Sequence, residues 1–73
     1  MAPYHIDVSR IEELQTITDV EELERIFERA KSTVVNGEAV VLGRRNGKAF
    51  QPFDEITTLN DLDEYRQSVF KYL

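Results

Sequence analysis

The chain has no cysteine and no tryptophan, and only three glycines, two prolines and one histidine among its 73 residues. Without cysteine there are no disulfides and no thiolate metal ligands, so two of the usual staples of very small domains are excluded. The single histidine, His5, would leave metal ligation to carboxylates, and none of these has metal-loop spacing. His5 therefore reads as a surface or packing residue, and no metal or other cofactor is expected. No apolar run approaches the ~18 residues of a membrane-spanning helix. Met1-Ala2-Pro3-Tyr4-His5 lacks the basic and apolar stretches of a secretory leader. No membrane association is expected, and the cytoplasm is the expected location.

Positive charge is also in short supply. Lys and Arg number 9 against 14 Asp and Glu, a formal net charge of −5 with a pI near 4.7. A general binder of phosphate backbones needs the opposite sign. Hydrophobic residues make up 41% of the chain, which argues for a folded domain rather than disorder.

At 8.5 kDa the chain has room for one small domain, residues 1–73. Area scaling gives an apolar burial gain of ~110 kcal/mol. Ordering the chain costs a similar ~110 kcal/mol. A monomer is thus left with little margin, and oligomerisation is the remaining common remedy.

Periodicity predicts three helices and a hairpin, a small α+β domain of order α-α-β-β-α. Val8, Ile11, Leu14 and Ile17 recur at helical spacing, with Ser9 and Glu12 reading as a capping box. Val20, Leu23, Ile26, Phe27, Ala30 and Val34 form the strongest stripe. Asp19 is its expected N-cap and Asn36-Gly37 its stop. A third helix is expected from about Leu59 to Tyr72, capped by Thr58. Between them, the runs 39–42 and 49–53 flank Arg44-Arg45-Asn46-Gly47-Lys48. Asn46-Gly47 predicts a type I′ turn, and Pro52 predicts that its strand is an edge. With that turn, Val40, Leu42, Ala49 and Phe53 share one face, and Val41, Gly43, Phe50 and Pro52 share the other. Both faces carry apolar residues, so either helices cover both or one meets a partner. Two strands alone are marginal. A third could come from Tyr4–Val8, from residues 56–58 or from another chain.

Sites for chemistry are sparse. Gly43 to Ala49 superficially suggests a phosphate loop, but only three residues separate its glycines and Ala49 replaces the required hydroxyl. Ser9, Ser32 and Ser68 lack a glycine-rich elbow. Carboxylate pairs such as Glu12-Glu13 are adjacent in sequence and need not face one another. An enzyme is not expected, nor a small-molecule substrate. Arg44, Arg45 and Lys48 make a basic hairpin tip that could grip phosphates, with Phe50 to stack. The plain alternative is a solvated turn, and the net acidity weighs against nucleic acid. Glu21, Glu24 and Glu28 line one stripe of the second helix. They could dock a basic partner, or simply be a solvated face with a Glu21–Arg25 pair.

The expected function is a non-catalytic protein–protein interaction module, self-associating as a homodimer, with Val41, Phe50, Arg44, Arg45 and Lys48 as the partner-binding residues. The first alternative is an acidic, antitoxin-like inhibitor that masks a basic nucleic-acid-handling protein. The second is a weak nucleic-acid binder acting through the hairpin tip.

Overall fold

A computed structural model describes residues 3–73; Met1 and Ala2, on which part of the leader reading rests, lie outside the described residues. The elements are β1 (Tyr4–Asp7), α1 (Val8–Thr16), α2 (Val20–Val35), β2 (Val40–Asn46), β3 (Ala49–Ile56) and α3 (Leu59–Phe70). The order α-α-β-β-α holds, and the third strand is the N-terminal β1. It lies parallel to β2, so that α1 and α2 form the crossover between them. β3 returns antiparallel on the other side of β2, giving the order β1-β2-β3. Pro52 accordingly sits on an edge strand, where its missing N–H costs no central ladder bond.

Capping explains where the helices begin. Asp19 accepts from the Glu22 N–H and Thr58 from the Asp61 N–H, as expected. α1 differs: Asp7, not Ser9, is its cap, accepting from the Ser9 N–H. The helix starts earlier than its capping-box pattern suggests because β1 delivers the chain at Asp7 already extended. Glu12 is thereby freed from the helix start. The Glu21–Arg25 pair is also replaced, since Arg25 bonds Glu22 at 2.9 Å.

Both α1 and α2 end in the same double hydrogen-bond pattern. In α2, the Gly37 N–H donates to Val34 and the Glu38 N–H to Thr33, with Gly37 at φ +83°. In α1, the Thr18 N–H donates to Gln15 and the Asp19 N–H to Leu14. These are Schellman closures. The left-handed position in α1 is held by Thr18, at φ +50°, where a β-branched side chain is strained. Ile17, one residue earlier, is the C-cap and 60% exposed, whereas Ile56 before α3 is a buried strand residue.

One core unites the elements. Ile11 and Leu14 from α1, Leu23, Phe27 and Ala30 from α2, and Leu62 and Val69 from α3 are buried with Ile6, Val40, Leu42 and Ile56. All three helices therefore pack on one face of the sheet. Phe27 sits at the centre of an aromatic set, 5.6 Å from Tyr65 and 6.0 Å from Phe70 between ring centroids.

The hairpin register differs from expectation. Asn46 pairs with Ala49 and Arg45 with Phe50, leaving Gly47-Lys48 as the two turn residues. Gly47 has φ +65°, and Lys48 is not among the positive-φ residues. Glycine first, followed by a residue with negative φ, is the pattern of a type II′ turn. A bulge between Leu42 and Gly43 then shifts the pairing, so that Val40 faces Ile56. The extra residue, Phe53, is 60% exposed. The bulge brings Ile56 inward, and Ile56 replaces Phe53 as the apolar partner of Val40.

Candidate interaction surface

The face of the sheet away from the helices is built by simple alternation. Val40 and Leu42 point into the core, so Val41, Gly43 and Arg45 point out. Ile6 points in, so His5 and Asp7 point out; Ile56 points in, so Glu55 points out. Pro52 lies beside Gly43, and Phe50 beside Arg45. Along this face His5, Asp7, Arg45, Phe50 and Pro52 border a shallow depression of about 500 Å³.

Phe50 is the centrepiece. Its ring leans diagonally over Gly43. A Cβ at residue 43 would stand 2.6 Å from two ring carbons and 2.6 Å from the Gln51 carbonyl oxygen. Only glycine admits this approach, since a Cβ here would collide with both ring and backbone. The His5 ring meets Phe50 edge-on at 5.2 Å with an interplanar angle of 89°, a favourable aromatic geometry. Phe50 and Val41 are half-buried, and Arg45, Pro52 and Glu55 are exposed.

Of the five residues expected to meet a partner, the fold brings Val41, Phe50 and Arg45 onto this face. Lys48 stands apart in the turn. Arg44 belongs to the opposite side, because residues 44 and 45 alternate. There it forms a two-pronged bond to Glu12, at 2.8 Å (Nη1–Oε1) and 3.1 Å (Nη2–Oε2), and donates to the Ser9 Oγ at 3.2 Å. The Arg44 hydrogen bond holds the Glu12 carboxyl below its ordinary value, and Glu12 in turn raises Arg44. Arg44 is thus a strap between β2 and α1, and the basic tip is divided between two faces. His5, Asp7 and Glu55 were missed as members of the surface. Their signal lay in the pairing of β1 with β2 and in the bulge, neither of which periodicity specifies.

Compared with known proteins, the chain matches no family model, no curated protein and no solved structure.

A second concavity, about 490 Å³, runs between α2 and α3 over Phe27, Leu59 and Leu62. Glu24, Glu28 and Asp63 border it, but so do Lys31 and Arg66. Arg66 lies 3.8 Å from Glu24 and stacks 4.5 Å above the Phe70 ring. The acidic stripe of α2 is therefore partly neutralised by the cations of the same groove. Among the described residues, no group of three or more His, Asp or Glu is placed to hold a metal ion, and no helix is long and apolar enough to cross a membrane.

Proposed function

We propose that the chain is a non-catalytic protein–protein interaction module whose contact surface is the helix-free face of its sheet. The observation that carries this reading is Phe50. A large aromatic ring is fixed over Gly43 and braced by His5, on a face no helix covers. Rigid aromatics that are already partly desolvated bind well because little rotamer freedom remains to be lost. The polar groups around it, His5, Asp7 and Arg45, frame an apolar floor. The division of the basic tip and the Arg44–Glu12 strap favour this reading over phosphate gripping. The mixed charge of the α2–α3 groove favours it over capture of a basic protein.

Affinity capture from native cells, with the wild-type chain and Phe50→Lys as baits, tests the proposal. The expected result is a protein retained by the wild type and lost on substitution, whether a further copy of this chain or another species. Identical captured sets from the two baits, with the variant still melting cooperatively, would overturn it.

A further inference from the structure

We infer that the occupant of the helix-free face is a second copy of this chain, turned about a two-fold axis lying across the strands, so that Arg45 of each copy meets Glu55 of the other. The inference rests on reading that face as the contact surface.

The layout of the face carries it. Down the centre, β2 presents Val41, Gly43 and Arg45 in that order. Beside Val41 stand His5 on β1 and Glu55 on β3, and beside Gly43 stand Asp7 and Pro52. Glu55 and Arg45 therefore occupy opposite ends of one surface, with Val41, Phe50 and Pro52 between and around them. Among the described residues, neither the Arg45 nor the Glu55 side chain makes an ion pair or hydrogen bond. A two-fold axis across the strands reverses strand direction and keeps β2 over β2. It sets Arg45 above Val41 of the second copy, offset sideways from that copy's Glu55 by one strand spacing of ~4.8 Å, with the two long side chains left to span the ~10 Å between sheets. The alternative face-to-face axis, along the strands, stacks Arg45 on Arg45 and is disfavoured by like charge. In the preferred arrangement Asp7 approaches its own counterpart. Its carboxylate is already engaged in capping α1, where the positive end of the helix dipole moderates the repulsion.

Charge distribution points the same way. Asp7 and Glu55 against Arg45 give this face one net negative charge, while the whole chain carries −5. Joining two copies here keeps most of the excess negative charge on the outward helices. The face is small. Strands of four, seven and eight residues project to ~300 Å² per copy, well under the ~800 Å² per partner of a standard interface and in the range of weak encounters. Micromolar rather than nanomolar association is expected, with the ion pairs setting orientation more than strength.

Sedimentation equilibrium on the full chain tests this with four proteins: wild type, Arg45→Glu, Glu55→Arg and the double exchange. Both residues are exposed, so folding is preserved. The wild type should be dimeric at high concentration. Each single reversal should weaken association about tenfold or more, and the double exchange should restore it to within about threefold. A wild-type dimer broken by Phe50→Lys but not restored by the double exchange would overturn the stated orientation and leave the contact face standing. A wild type that stays at 8.5 kDa at ~1 mM, far above the micromolar range expected, would overturn the second copy as occupant. The contact face would then stand or fall on the capture experiment.

Discussion

On the helix side of the sheet, Ile6, Val40, Leu42 and Ile56 are at most 4% exposed. On the other side, Val41 and Phe50 are half-buried and Pro52 and Glu55 open to solvent. The two sides share the same three strands and the same pleat, so the difference lies in what each was given to pack against. Three amphipathic helices send their apolar stripes to one side, and no helix among the described residues covers the other. The inward face is aliphatic and closes a single core. The outward face instead concentrates one aromatic ring over a glycine, ringed by both signs of charge. That contrast separates a surface that holds the fold together from one available for contact.

The sharpest way to break the comparison is to truncate one aromatic on each side. Phe27→Ala, on the buried side, should cost ~3–5 kcal/mol and largely unfold a domain of this size. Phe50→Ala should cost far less, ~1–2 kcal/mol, since it loses partial burial and the His5 contact. Urea denaturation of dilute samples measures both, and equal costs would mean that the outward face is ordinary core.

A smaller effect belongs to neither face. Thr18 takes a left-handed conformation at the α1–α2 corner, so Thr18→Gly should stabilise the chain by about 1 kcal/mol. It should do so without changing association, because the corner lies away from the outward strand face. Destabilisation would mean that the Thr18 hydroxyl bond to the Ile17 carbonyl, 2.8 Å, outweighs the backbone strain.

The smallest effect probes a flaw of the covered side. The Tyr65 hydroxyl is buried without a hydrogen-bond partner. Its pKa is pushed up to about 12, chiefly by burial and then by the charge of Glu12, against the opposing Arg44. Tyr65→Phe removes an unsatisfied group and should be neutral or stabilising by about 0.5–1 kcal/mol at pH 7. A phenol whose folded pKa lies above its unfolded value of ~10 favours the fold while protonated. That contribution is intact below pH ~10 and fades as pH rises through about 12. The wild type should therefore lose more stability than Tyr65→Phe between pH ~10 and ~12. Burial raises Tyr4 as well, so the variant loses only part of this dependence. Identical alkaline profiles would mean that Tyr65 is well solvated.

Much of this architecture was legible in the chain. The helix stripes apart from Ile17 and Val20, which are exposed, the Asp19 and Thr58 caps, the Gly37 stop and the edge position of Pro52 follow from local rules that tertiary packing did not override. The faces of Val41, Gly43, Phe50 and Pro52 were also readable, although the turn was misplaced. Moving the turn from Asn46-Gly47 to Gly47-Lys48 slips the pairing by two residues, and an even slip keeps every side chain on its face. The bulge does change parity, and beyond it the reading failed: Ile56, not Phe53, is the inward residue. Arg44 and Arg45 looked alike as a basic tip, yet neighbours on a strand face opposite ways, and only the position of α1 shows that Glu12 claims one of them. The N-terminal strand was one of three options, because four residues give too short a pattern to choose among partners.

The claim that the two faces have different work is tested most directly by the melting temperature of the wild-type chain as a function of its concentration. A dimer through the outward face should give a midpoint that rises between ~10 μM and ~1 mM, as mass action requires, and Phe50→Lys a midpoint independent of concentration. A wild-type midpoint unchanged over that range, with a cooperative transition, would contradict it.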